Sequence, residues 1–98
     1  MFVGTLELDV LLGDIHSLKE KRGVVRPVLA ELRRRHDVAV AEVGHQDLHR
    51  RAVLGVALVS EQPAHCTEVL DSCERLVAAR PELDLLSARR TLRDTDDD

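Results

Sequence analysis

Residues 2–12 read FVGTLELDVLL, in which apolar and polar positions alternate. Successive side chains of a β-strand point to opposite faces, so a period of two predicts a strand with one buried face. The apolar side consists of the even-numbered positions Phe2, Leu6, Leu8, Val10 and Leu12, with Gly4 in the same register. The stretch therefore predicts a half-buried strand, which Gly13 and Asp14 end.

A helix is predicted directly after this strand. Ser17 and Glu20 have the S-x-x-E spacing of a capping box, in which the Ser17 hydroxyl accepts a hydrogen bond from the Glu20 amide. Apolar residues then recur at steps of three and four, which predicts an amphipathic helix over residues 18–35. Pro27 lies inside this helix and crowds the carbonyl of Gly23, so the helix either kinks there or breaks into two pieces.

The rest of the chain predicts three more strands and a second helix. Pro63 suits the first turn of that helix, and Pro81 ends it. The predicted strands cover residues 37–43, 50–60 and 83–92, with a loop at residues 44–49.

The resulting order is βαββαβ with short connections. This order favours an α+β, ferredoxin-like sandwich, in which two helices cover one face of a four-stranded antiparallel sheet. The first and third strands lie at the centre of such a sheet, which suits the two most apolar strands. We expect residues 1–93 to form a single domain and residues 94–98, DTDDD, to be a disordered acidic tail.

Composition excludes several classes of protein. Phe2 is the only aromatic residue, which argues against single-stranded RNA binding by base stacking. No apolar run approaches the roughly 18 residues of a membrane helix, and the N-terminus does not resemble a signal peptide. We therefore expect a cytoplasmic protein with no membrane partner. Cys66 and Cys73 are separated by about 10 Å along a helix, too far for a disulfide, and are predicted to be buried apolar residues.

A sheet covered by helices on one face leaves its other face open. The residues predicted there are small or apolar: Val3, Thr5, Val53, Gly55, Ala57 and Val59. Exposed apolar surface of this kind usually has a partner, so we expect a homodimer interface. The alternative is that Glu7 and Asp9 keep the face hydrated in a monomer.

Charge is segregated along the chain although the net charge is −4. The first helix is basic and the second is acidic, and a basic helix can neutralise nucleic-acid phosphates. The candidate nucleic-acid-binding residues are Lys19, Lys21, Arg22, Arg26, Arg50 and Arg51. The alternative is an ordinary solvated face whose arginine stems cover the apolar stripe.

A second candidate site lies where the first helix begins. His16, Ser17 and Lys19 are suited to an anion at the positive end of the helix dipole, although a turn residue before a cap is the commoner role of such a histidine.

The loop HQDLH contains the residue types of a zinc site in His45, Asp47 and His49. The neighbouring Arg50 and Arg51 would repel a cation, so we assign no metal and expect Asp47 to form an Asx turn. No P-loop, dinucleotide-binding or C-x-x-C motif is present. We therefore assign no catalytic residue and no cofactor, and whether the three loop residues converge on a ligand stays open.

Two stretches carry a resemblance to a known family. His16-Ser17-Leu18-Lys19-Glu20-Lys21-Arg22 and Ala41-Glu42-Val43-Gly44-His45-Gln46-Asp47-Leu48, with Arg51-Ala52 and Leu54-Gly55-Val56-Ala57 after them, resemble the YlxP-like family of small bacterial proteins, a domain of unknown function. The resemblance covers roughly residues 1–92 and implies a ferredoxin-like fold. It also implies a ribosome- or RNA-linked role, because the family's genes often lie beside those of translation initiation and ribosome maturation factors. Relatives often have Trp where this chain has His49.

These observations lead to one expected function and two alternatives. We expect a non-enzymatic binding module that associates with the ribosome or RNA through a basic helix edge. The first alternative is a homodimeric protein-interaction domain that uses the open sheet face, and the second is a small protein that binds an anion or a metabolite.

Overall fold

The computed structural model describes residues 1–96 and contains four strands and two helices in βαββαβ order. The strands are β1 (Phe2–Leu12), β2 (Ala39–Gly44), β3 (Arg51–Ser60) and β4 (Leu83–Asp94), and the helices are α1 (Leu18–Arg35) and α2 (Pro63–Ala78). All pairings are antiparallel, and the strand order is β2-β3-β1-β4. The predicted ferredoxin-like arrangement is confirmed, with β1 and β3 at the centre of the sheet.

The core lies between the sheet and the helices. Alternate residues of the two central strands are buried on this side, from Leu6 to Leu12 in β1 and from Ala52 to Leu58 in β3. Gly4 lets α2 approach closely, since a Cβ at this position would lie 3.1 Å from Leu70 Cδ1. The period of two in the sequence thus separates a core face from an open face.

Helix α1 begins after the predicted N-cap residue, Ser17, and is continuous. The Glu20 amide donates to Ser17 Oγ over 3.1 Å. The helix runs through Pro27 to Arg35, so the alternative of a break into two pieces is wrong. Pro27 has no N–H to donate, and the carbonyl of Gly23 therefore lacks the ordinary donor four residues later.

Helix α2 is held by its apolar stripe and by ion pairs at its rim. Cys66 and Cys73 are free and fully buried, as predicted, and burial raises the pKa of the Cys73 thiol. Arg90 of β4 reaches α2, with 2.6 Å from its Nη1 to Asp71 Oδ1 and 3.3 Å from its Nη2 to Glu74 Oε1. The acidic side of α2 is thereby fastened to the sheet.

The two ends of the chain meet beside the sheet. Strand β4 extends to Asp94, one residue into the segment predicted to be disordered. The Thr95 amide donates to the Met1 carbonyl over 2.9 Å, so this residue is also held by the fold. The prediction of a disordered tail is wrong at residues 94 and 95, and Asp97 and Asp98 lie outside the described residues. Within residues 1–96, neither helix has the length and apolar character that a membrane crossing needs.

Candidate functional site

Three cations line the outer side of α1, and we call them the cationic face: Lys19, Arg22 and Arg26. Their spacing of three and four residues places them on successive turns of one side of the helix, and all three are exposed. Within residues 1–96, none of them forms an ion pair with a carboxylate. With Gly23 and Pro27 they line a shallow depression of about 420 Å³.

Lys21 does not belong to this face. Its side chain is 2% exposed, and its Nζ donates to the carbonyls of His45 and Leu48, each over 2.8 Å. The same Nζ lies 2.6 Å from Glu42 Oε2, an ion pair without the alignment of a hydrogen bond. The prediction that Lys21 contacts nucleic acid is therefore wrong, because its ammonium group joins α1 to the loop between β2 and β3.

Helical periodicity contained the signal for this inward position. Lys21 lies four, seven and eleven residues before Val25, Val28 and Leu32, which are all buried. These steps place a residue on the same helix side as the core stripe. The number of basic residues in the segment does not indicate that Lys21 points inward, because that depends on the phase of each residue around the helix.

Arg50 and Arg51 lie near the start of α1, but their guanidinium groups bind other parts of the chain. Arg50 Nε donates to the carbonyls of Leu12 and Gly13 over 3.3 Å and 2.8 Å. Arg51 Nη2 lies 2.7 Å and 2.8 Å from the two carboxylate oxygens of Asp9 on the open sheet face. Asp9 neutralises Arg51, so Arg51 does not extend the basic helix edge. Two carbonyls orient Arg50, which is exposed and has no carboxylate partner within residues 1–96, so its contact with nucleic acid stays a prediction.

Two of the three groups of the predicted anion site at the start of α1, those of His16 and Ser17, are engaged. His16 Nε2 lies 3.0 Å from Asp14 Oδ1, and both side chains are largely exposed. Ser17 Oγ accepts the Glu20 amide as the helix cap. An anion at His16 would have to displace the Asp14 carboxylate.

The loop histidines do not assemble a metal site. The loop is closed by the Leu48 amide, which donates to the His45 carbonyl over 3.0 Å, and His45 has a φ of 57°. In residues 1–96 no side chain hydrogen bond forms at Asp47, so the expected Asx turn is wrong. No group of three or more His, Cys, Asp or Glu residues in the described chain is arranged to hold a metal ion.

The open sheet face contains a shallow apolar groove of about 450 Å³. Its lining on this face comes from three strands and is small or apolar except for Glu7: Thr5, Glu7, Ala39, Ala41, Val43, Gly55 and Ala57. The predicted interface residues do lie on the face opposite the helices, since each alternates with a buried neighbour. Val43, which is 51% exposed, lines the groove, and Val59, which is 61% exposed, follows two residues after Ala57 on β3.

Strand β2 supplies the part of this groove that the sequence prediction missed. Ala39 pairs with Ala57, and Ala41 pairs with Gly55. Val43 covers Gly55 so closely that a Cβ added to the glycine would lie 2.9 Å from Val43 Cγ1. Only the pairing register brings these residues beside β3, although the alternation of residues 39–43 indicated which ones share a face.

The β1–β4 half of the open face is polar and internally paired. Arg89 Nη2 lies 2.7 Å from Glu7 Oε2, and this hydrogen bond and the carboxylate charge raise the pKa of Arg89. The hydroxyl groups of Thr5 and Thr91 hydrogen-bond across the same two strands. Acids and bases on this face therefore largely neutralise one another.

Comparison with known proteins agrees with this architecture. A family model described as a protein of unknown function (DUF503) matches residues 3–90. The chain is 29% identical over 82 residues to the uncharacterised protein YlxP of Bacillus subtilis (strain 168), covering 84% of this chain and 89% of the relative. A de novo designed protein with a ferredoxin fold, solved by NMR in solution, superposes with a TM-score of 0.53 at 14% identity over 96% of this chain and 87% of the design. The chain belongs to the DUF503 family of proteins of unknown function.

Proposed function

We propose that the protein is a non-enzymatic, cytoplasmic binding module that associates with RNA, at or near the ribosome, through the cationic face of α1. The observation that carries the proposal is that Lys19, Arg22 and Arg26 are exposed on successive turns and have no carboxylate partner within residues 1–96. Charges in this state attract phosphates and release counterions when they bind them.

Half of the ten other arginines of the described chain lack this property. Five of them lie within 4 Å of a carboxylate, namely Arg35, Arg51, Arg80, Arg89 and Arg90. Binding a phosphate there would mean breaking an existing ion pair. The outer side of α1 is therefore the surface on which cations are both grouped and available.

The mode of binding follows from charge and composition. The net charge of −4 opposes a polyanion, so we expect weak binding that salt suppresses. Three neutralised phosphates correspond to a slope of about −2 in log affinity against log salt for a single strand. Since Phe2 is the only aromatic residue, contacts to phosphate and to RNA shape carry the interaction rather than base stacking.

The test is a salt titration of RNA binding, followed by fluorescence anisotropy with a labelled single strand. The double variant R22Q/R26Q removes two charges of the cationic face. The control R75Q/R93Q removes two exposed charges from α2 and β4. We expect the slope to shrink to about −0.7 in the first variant and to stay near −2 in the control.

Two results would contradict the proposal. One is the absence of RNA binding at low salt, and the other is an equal loss of affinity in the two charge-matched variants. In cell lysate the same reasoning predicts sedimentation with the ribosomal fraction that added salt abolishes.

A second candidate function is homodimerisation through the open sheet face, which the apolar groove favours. Strands β1 and β3 pair over residues 2–11 and 51–60, and a four-stranded sheet of that length presents about 600 Å². Two such faces reach the lower end of stable interfaces, about 1,200 Å² in total. Because Asp9–Arg51 and Glu7–Arg89 neutralise one another, two copies of this face meet without net repulsion.

Dimerisation is tested by light scattering on the wild type and on two variants. Ala57→Arg places a charge in the groove, whereas Ala78→Arg places the same charge on the exposed end of α2. We expect a dimer that only the first substitution converts to a monomer. A monomeric wild type, or a dimer that survives Ala57→Arg, would exclude this candidate.

A further inference from the structure

Gly23, one of the residues that line the depression on the cationic face, has a backbone acceptor without its usual donor. In a regular helix the carbonyl of Gly23 would accept from the amide four residues later. That residue is Pro27, which has no N–H. Carbonyl groups on the solvent side of a helix tilt outward, toward water.

The same position is open to a ligand. Gly23 is exposed, and apart from its chain neighbours and the backbone of its own helix, no atom lies within 4 Å of the point where its Cβ would be. The depression has a volume of about 420 Å³, and its lining consists of Gly23, Pro27 and the three cations. Cavities from about 300 Å³ upward hold small ligands, so a sugar–phosphate unit is of suitable size.

We infer that this depression seats one ribose of a bound RNA, with the Gly23 carbonyl accepting the 2′-hydroxyl and the cationic face binding the flanking phosphates. The inference rests on the proposed function and adds to it the contact by which the site distinguishes RNA from DNA. The 2′-hydroxyl is the group that distinguishes RNA from DNA, and deoxyribose has no donor to offer this carbonyl.

The expected size of the discrimination follows from a single hydrogen bond. One net hydrogen bond corresponds to about a 2- to 10-fold preference for RNA over DNA of the same sequence. The salt dependence should be the same for both strands, because the phosphates and the three cations are unchanged.

The experiment compares three labelled single strands of matched sequence: RNA, DNA and 2′-O-methyl RNA, which has no hydroxyl donor. Wild-type protein should prefer RNA over both others. Pro27→Ala restores an amide that can donate to the Gly23 carbonyl, and it should remove the preference while the salt slope stays the same. Gly23→Ala fills the floor of the depression and should have the same effect.

Pro63→Ala is the matched control, because Pro63 occupies the first turn of α2, where no backbone hydrogen bond is lost. It should leave the preference for RNA intact. Equal binding of RNA and DNA by the wild type, or a preference that survives Pro27→Ala, would overturn the inference and leave the proposed function standing. No binding to any of the three strands would overturn both.

Discussion

Replacement of Lys21 by methionine tests the structural role of this buried lysine. Methionine keeps an apolar stem of similar length and removes the ammonium group. The change eliminates two hydrogen bonds of 2.8 Å to the carbonyls of His45 and Leu48. It also leaves the carboxylate of Glu42, which is 22% exposed, without the cation at 2.6 Å.

The expected loss can be bounded from these contacts. Hydrogen bonds to a charged group contribute about 1.5–3 kcal/mol each, and removal of one partner from a buried ion pair costs about 3–5 kcal/mol. The loop residues His45 and Leu48 are exposed and their carbonyls are only part-buried, so water can replace part of the loss. We therefore expect Lys21→Met to lower the free energy of unfolding by about 3 kcal/mol.

Equilibrium unfolding in urea, followed by circular dichroism, measures this loss. Lys19→Met is the matched control on an exposed position of the same helix turn, and it should stay within about 0.5 kcal/mol of the wild type. Adding Glu42→Gln to Lys21→Met should cost less than the sum of the two single changes, because both remove the same ion pair. If Lys21→Met unfolds like Lys19→Met, the assignment of Lys21 as a structural tie is refuted.

Two further predictions concern the core. Leu54→Ala, at a fully buried position of β3, should lower the free energy of unfolding by about 2–5 kcal/mol in urea denaturation, whereas Val59→Ala at the exposed end of the same strand should change it little. Because burial raises the pKa of the Cys73 thiol, the unfolded chain loses this proton at a lower pH than the folded chain. The stability contributed by the protonated thiol should therefore be complete below about pH 8.5 and decline as the pH rises above it. Cys73→Ala should reduce this decline of stability with pH, whatever its effect on overall stability. An unchanged slope of stability against pH would contradict a raised pKa of the buried Cys73 thiol.

The elements could be predicted from the sequence because their signals are local. Alternation along residues 2–12 and the capping box at Ser17 depend only on neighbouring residues, and both features occur as predicted. The ends of elements were less certain, since pairing partners determine them. Strand β4 continues to Asp94 because Phe2 of β1 lies opposite and pairs with it.

The site was predicted less well because ion-pair partners are distant in sequence. Arg51 binds Asp9, and Arg50 binds the carbonyl of Gly13, across separations of 42 and 37 residues. No local pattern shows such contacts. The charge-rich segment 19–26 thus predicted the location of the cationic face, but the structure was needed to show that Asp9 neutralises Arg51 and that backbone carbonyls orient Arg50.

The prediction that Lys21 faces outward is a different kind of error. Helical phase alone places this residue with Val25 and Val28, and a polar residue on the core stripe of a helix predicts buried acceptors nearby. The groove of the open face could be predicted in part. The alternation of β2 was visible in the sequence, but the register that sets Ala41 beside Gly55 was not.

The most direct test of the cationic face is an amide chemical-shift titration of isotope-labelled protein with single-stranded RNA at low salt. The account predicts that the largest shifts occur in residues 19–26, with small ones in the 45–51 loop and on the open sheet face. Shifts centred on the open face or on that loop, or none at saturating RNA, would contradict it.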